Sequence, residues 1–153
     1  MPNVAIVIGS KSDTELIQPA LDILKDFDIE CELSVISAHR TPDKARDFAR
    51  SARSRGIEVI IAAAGGSAHL PGVIASWTSL PVIGVPLASS ELKGIDALYS
   101  IVQMPAGIPV ACVDVGTWGV KNAAYLAAEI LGLKYNSIRE ACEKYRRSLA
   151  EAK

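Results

Sequence analysis

Glu58-Val59-Ile60-Ile61-Ala62-Ala63-Ala64-Gly65-Gly66-Ser67-Ala68-His69-Leu70-Pro71 is the stretch whose reading decides the fold. After Glu58 it is a short unbroken apolar run, with none of the polar alternation of a strand that faces water on one side. Such a run is the mark of a parallel strand covered on both faces. It then passes through small residues to a histidine and a proline suited to the first turn of a helix. The same succession recurs along the chain. Strand-like runs are expected at Val4–Ile8, Glu30–Ile36, Glu58–Ala63, Val82–Pro86 and Val110–Val115, with segments of helical period between them. The first helix is read from an apolar face of Leu16, Ala20, Ile23, Leu24 and Phe27, with Pro19 as an expected kink. The second takes Thr41 as N-cap and Pro42 as its first residue and ends near Gly56. A third begins around His69, a short fourth covers Asp96–Gln103, and a fifth runs from Asn122 to Leu131 and stops at Gly132. This alternation predicts an α/β fold with a doubly wound parallel sheet and right-handed crossovers.

One segment lies outside that alternation. Ser137-Ile138-Arg139-Glu140 reads as a capping box opening a further helix with the stripe Ile138, Ala141, Cys142, Tyr145 and Leu149. The expectation is a single domain over 1–153, with an α/β core at 1–132. A C-terminal helix at 137–153 is expected to pack on a neighbouring subunit.

The bulk properties narrow the functional classes. Of 153 residues half are hydrophobic and 22% are charged, and sixteen basic against seventeen acidic residues leave a net charge of −1. No basic excess points to nucleic acid or to an anionic membrane, so a bound anion must be held by local groups. Cys31, Cys112 and Cys142 are odd in number and widely spaced, which suits a reducing compartment and argues against a disulfide framework or a zinc knuckle. No leader and no apolar run long enough to span a bilayer is read, and a cytoplasmic protein is expected.

Three loops carry chemistry, each following a strand-like run, where open parallel sheets bind ligands. Gly9-Ser10-Lys11-Ser12-Asp13 offers backbone N–H groups and hydroxyls at a helix start, with Asp13 able to accept from ribose hydroxyls. Ser12 through Glu15 also fits a plain capping box, so the loop by itself supports both readings; it is neither a Walker A loop nor a dinucleotide fingerprint. Ser37-Ala38-His39-Arg40-Thr41-Pro42 places a hydroxyl and a guanidinium near a second helix start, a phosphate clamp around one of the chain's two histidines. Ala62 through Ala68 are all small, so the backbone can approach a flat ligand closely, although small residues also ease helix–strand packing. The run ends at the second histidine, His69. Histidine exchanges protons near neutrality in its unperturbed state, so two of them at strand ends favour a reaction site. Residues 87–94 could cover that site, with Gly94 as a hinge, or be ordinary surface loop. Trp77 and Trp118 are read as core or interface anchors. Thirty residues separate the histidines and no acidic or thiol ligands cluster near either, so no metal is expected.

These motifs resemble the carboxyaminoimidazole ribonucleotide mutase family of de novo purine synthesis. Gly9–Asp13, Ser37–Pro42, Gly65–Gly72 and Gly94-Ile95-Asp96-Ala97-Leu98-Tyr99-Ser100-Ile101-Val102-Gln103-Met104-Pro105 carry the likeness, in order, to about Leu131. The resemblance implies a flavodoxin-like three-layer αβα sandwich, a homo-octamer, and carboxylate transfer without cofactor. It also implies a functional link to an ATP-dependent synthetase. Carried over by position, Ser10, Ser12, Ser37 and Arg40 hold the phosphate side and Asp13 the ribose. The Ala64, Gly65, Gly66, Ser67 and Ala68 backbone surrounds the imidazole and a transient carbon dioxide, and Gly9, Ala38 and Leu70 are further implied substrate-binding residues. His39 is the implied proton carrier, and His69 part of the carbon dioxide pocket. Ser67 stands where bacterial members usually carry alanine, and the 89–93 loop is more charged than theirs. Competing expectations are direct carboxylation of aminoimidazole ribonucleotide and, more distantly, a non-catalytic nucleotide- or flavin-binding module. Arg40 and the Gly65–His69 motif separate the chain from the animal-type carboxylases, which carry lysine after the first histidine.

Overall fold

Alternation of side chains along each strand sets the layers. The computed structural model describes Met1 and residues 3–152. β1 (Asn3–Ile8) sends Val4, Ile6 and Ile8 to one face and Ala5 and Val7 to the other, and all five are fully buried. β2 (Glu30–Val35) and β3 (Val59–Gly65) pair with β1 on either side, β4 (Val82–Leu87) pairs with β3, and β5 (Ala111–Cys112) with β4, every pair parallel. The order β2-β1-β3-β4-β5 is doubly wound, as the alternation predicts, and is the flavodoxin-like arrangement that the family resemblance implies.

The helices cover both faces. α1 (Thr14–Asp26) and α5 (Thr117–Gly132) bury Ile17, Ala20 and Leu24 and Ala123, Ala124, Ala127 and Ala128 against the Val4 face. α2 (Pro42–Ala52), α3 (Leu70–Trp77) and α4 (Ile95–Val102) bury Ala45, Phe48, Ile74 and Ile101 against the Ala5 face. Alanine at four consecutive inward positions of α5 lets that helix lie close on the sheet and on α1. Among the described residues no helix is long and apolar enough to cross a membrane.

Several boundaries differ from the sequence expectation, each for a local reason. The inner face of α1 is Ile17, Ala20, Leu24 and the capping Phe27, while Leu16 is 46% exposed, one position off the stripe. α1 runs unbroken through Pro19. α5 begins at Thr117, ahead of the expected Asn122, because Gly116 takes a left-handed turn (φ +78°) and Gly119 lies against the Asp114 carbonyl. β5 is two residues long rather than six. Gly84 accepts from Val113 N–H and Pro86 accepts from Gly116 N–H, but proline has no N–H to return a bond, so the ladder lapses. Trp77 and Trp118 lie outside the core, Trp118 at 75% exposure.

α6 (Asn136–Glu151) starts one residue before the expected capping box, with Tyr135 at the N-cap and no side-chain capping bond. Lys134 and Tyr135 both donate to the Glu58 carboxylate, at 2.7 Å each, and pin the start of α6 beside β3. Its Ile138 is buried against α5 of its own chain, Tyr145 stacks on Tyr125 at 4.5 Å, and Phe27 meets both rings edge-on. Leu149 at the far end is exposed.

Candidate active site

The chain order reverses across β1: β2 lies on one side and β3 and β4 on the other. The loops leaving the carboxyl ends of these four strands surround one crevice, the expected place for a ligand in this topology. Its volume is about 360 Å³. Gly9, Ser10, Ser12 and Asp13 come from the loop after β1, and Ser37, Ala38, His39 and Arg40 from the loop after β2. Ala64, Gly65, Ser67, His69 and Leu70 come from the end of β3 and the start of α3, and Ser89 from the loop after β4.

The first loop is built differently from the expected capping box. Ser10, not Ser12, accepts a backbone bond, from Ser12 N–H at 3.3 Å, and the two hydroxyls meet at 2.9 Å. Asp13 sits at the N-cap of α1 without a side-chain capping bond, so its carboxylate is left to face the crevice. It is only 8% exposed, and loss of water pushes its pKa above the usual carboxylate value. A buried carboxylate facing a cavity is suited to accept from neutral hydroxyls, as a sugar diol presents.

The second loop is tied shut by its own polar groups. Thr41 occupies the N-cap position of α2, but its hydroxyl donates to the Ser37 carbonyl at 2.9 Å and accepts from Ser37 N–H at 3.2 Å. Ser37 Oγ accepts from Arg40 N–H at 3.1 Å, which leaves its own O–H free to donate. This closed turn presents Arg40, a crevice-lining cation with no ion pair among the described residues, beside the N-terminus of α2. Guanidinium, serine hydroxyls and a helix start together suit a phosphate dianion.

Across the crevice the two histidines meet. His39 Nε2 and His69 Nδ1 are 2.7 Å apart, with the rings edge-on at 84°. One of these nitrogens carries the shared proton and the other accepts it, so the tautomer of each ring fixes that of its neighbour. Both side chains remain open to solvent and to a ligand. This contact joins the loop that carries Arg40 to the start of α3, beside the small-residue wall formed by β3.

Most of the residues singled out from the sequence therefore surround this crevice. Gly66 and Ala68 do not. Gly66 makes the turn in a left-handed conformation (φ +58°), and Ala68 is buried under the loop. Their part is to shape the wall rather than to line it. Ser89 belongs to the 87–94 segment, which the sequence leaves as either a cover for the site or ordinary surface loop, and it is not among the site residues singled out there. A Cβ on Gly65 would fall 1.8 Å from Ser89 Oγ, so the glycine is what lets this serine lie across the end of β3. Gly94, the hinge if residues 87–94 cover the site, stands at φ +92°, where an added Cβ would meet Val115 and Ala88. Among the described residues no cluster of three or more His, Cys, Asp or Glu side chains is placed to hold a metal.

Comparison with known proteins agrees with this geometry. The sequence pattern of the AIR carboxylase family matches residues 3–152. The N5-carboxyaminoimidazole ribonucleotide mutase of Pyrococcus abyssi is 56% identical over 149 residues, which are 97% of this chain and 84% of that protein. The protein of the same name from Saccharolobus solfataricus is 57% identical over 145 residues, 95% of this chain and 90% of the relative. The crystal structure of Treponema denticola PurE superposes with a TM-score of 0.87 at 31% identity, covering 99% of this chain and 93% of the other.

Proposed function

Because the chain belongs to the AIR carboxylase family, we propose that it is a mutase of de novo purine synthesis. Its substrate on this reading is N5-carboxyaminoimidazole ribonucleotide, and its product carries the carboxylate on the ring carbon instead of the exocyclic nitrogen. The relatives carrying the mutase name support this over direct carboxylation. The observation that carries the mechanism is the His39–His69 contact of 2.7 Å on the rim of a crevice whose other side suits a phosphate.

In this reading Ser10, Ser12, Ser37 and Arg40 hold the phosphate and Asp13 the ribose hydroxyls. His39 donates a proton to the carbamate nitrogen, the N–C bond breaks, and carbon dioxide is released into the small-residue pocket. The electron-rich ring carbon then attacks it and forms the C–C bond. His39 takes back the proton from that ring carbon, and the aromatic ring is restored with no net gain or loss of protons. His69 holds the imidazole of His39 in the orientation both transfers need. Enclosure makes the recombination step effectively unimolecular.

The test follows isotope and proton together. With the carbamate nucleotide supplied in labelled bicarbonate, turnover proceeds without label entering the product; full-rate incorporation from solution overturns the mutase reading. His39→Asn lowers kcat by about 10²–10⁴-fold while the product nucleotide still binds. Near-normal turnover of that variant overturns the assignment of His39.

Three further parts belong to the same reading. A homo-octamer is supported by large exposed apolar side chains on α4 and at the start of α5, and α6 adds its outward face to a neighbouring subunit. A carbamate on nitrogen is a labile substrate, so an ATP-dependent synthetase supplies it. A cytoplasmic setting suits both the pathway and three cysteines that are all free thiols.

A further inference from the structure

The segment between β4 and α4 holds two adjacent serines with opposite fates. Ser90 is fully engaged: its hydroxyl donates to Asp96 Oδ2 at 2.5 Å and accepts from Leu92 N–H at 3.2 Å, and its carbonyl accepts from Lys93 N–H. Asp96 stands in the first turn of α4, with its second carboxylate oxygen buried and without a partner. Gly94 closes the corner against Val115 and Ala88. Ser89, one residue earlier, makes no hydrogen bond among the described residues. Its side chain lies over the α-carbon of Gly65 and on the wall of the crevice that also holds Ser67 and His69.

A hydroxyl without a protein partner, set across the end of β3, is a hydrogen-bond donor waiting for an acceptor on the ligand. Of the four strands whose loops line the crevice, β4 lies farthest in sheet order from β2, whose loop carries Arg40, so the acceptor belongs to the end of the ligand opposite its phosphate. We infer that Ser89 is a further substrate-contacting residue, donating to an oxygen of the migrating carboxylate, and that Asp96 is a positioning residue that sets it through Ser90. This inference rests on the function proposed above. The Ser90 hydroxyl holds the Asp96 carboxyl below the usual carboxylate value, in keeping with a charged acceptor for that bond.

The experiment is a double-mutant cycle assayed with the carbamate nucleotide. Ser89→Ala lowers kcat/KM by about 10- to 100-fold, the range for a hydrogen bond to a charged group, and Ser89→Thr, which keeps the hydroxyl, recovers most of it. Asp96→Asn lowers kcat/KM less and speeds amide exchange in residues 88–94. Because Asp96 acts only through Ser89, the double variant is no worse than Ser89→Ala alone. Additive losses, or a Ser89→Ala enzyme with the kcat/KM of the unaltered protein, overturn the inference and leave the proposed function standing. An unaltered protein that fails to turn over the nucleotide overturns the proposed function, and this inference falls with it.

Discussion

On the function proposed above, Asp13 is placed for a ligand at the expense of the empty protein. It is the one charged side chain buried among the described residues, and it is not engaged in capping the helix it begins. Desolvation raises its pKa, so the charged form destabilises the ligand-free fold above that raised value, and the penalty disappears once the group is protonated in both states. Asp13→Asn therefore melts at a higher temperature than the unaltered protein at pH 7. The gap closes as the pH falls below about 4, where an unfolded aspartate also carries its proton. The same variant raises KM for the nucleotide by about 10- to 100-fold, since an amide is a poorer partner for two hydroxyls than a carboxylate. Calorimetry across pH and steady-state kinetics check both arms; a lower melting temperature at pH 7 contradicts the burial argument. At this scale much of the site could be read in advance, because its polar groups sit in unbroken segments such as Ser37–Arg40. Ser89 could not be singled out within the 87–94 segment. Its place depends on Gly65 in another strand, and neither residue means much without the register between β3 and β4. The His39–His69 contact was hidden for the same reason: only β1 lying between β2 and β3 brings those loops together.

Elements were read well where hydrophobic pattern sets them and poorly where backbone geometry does. β1 after Asn3 and β3 up to Gly65 are covered on both faces, so burial alone dictates apolar residues at each of those positions. The start of α5 is different. Gly116 and Gly119 look like helix breakers, and propensity moves the expected start to Asn122. Gly119 is in fact required, because a Cβ there would sit 1.8 Å from the Asp114 carbonyl oxygen, and a backbone atom cannot turn aside as a side chain can. Gly119→Ala forgoes the modest helix-propensity gain of alanine and destabilises the protein by about 1–3 kcal/mol through that overlap. Chemical denaturation checks the sign; a stabilised variant means that the first turn of α5 yields freely. Thr41 teaches the same lesson with a hydroxyl. Its position is that of an N-cap, yet its bonds go back to Ser37, and the loop it fastens is the one that carries His39 and Arg40.

Seen whole, the isolated chain has an apolar surface that its own fold does not use. α4 buries Ala97 and Ile101 against the sheet, while Ile95, Tyr99 and Val102 recur at helical spacing on the outward face, Tyr99 at 69% exposure. A helix that is apolar on both sides belongs in an interior. Leu92 before α4 and Trp118 in the first turn of α5 are also exposed, so the large side chains left uncovered are concentrated in the segments that follow β4 and β5. With a net charge of only −1, little long-range repulsion opposes association of identical chains. Closed symmetric assembly is the usual way for such a surface to be covered. Light scattering at micromolar concentration should thus return several times the 16.2 kDa of one chain, and about 130 kDa if eight associate as proposed. Tyr99→Asp places a charge on the outward stripe without touching the buried side of α4, so it lowers the assembled mass while the circular dichroism of the chain is kept. A single-chain mass for the unaltered protein removes the octamer, and an unchanged mass for Tyr99→Asp moves the interface away from α4. Because α4 and the loop before it also hold the Ser90–Asp96 contact, subunits meeting there would bear directly on the crevice wall. Activity per chain that falls on dilution, in step with the loss of the large species, is the outcome expected of that coupling.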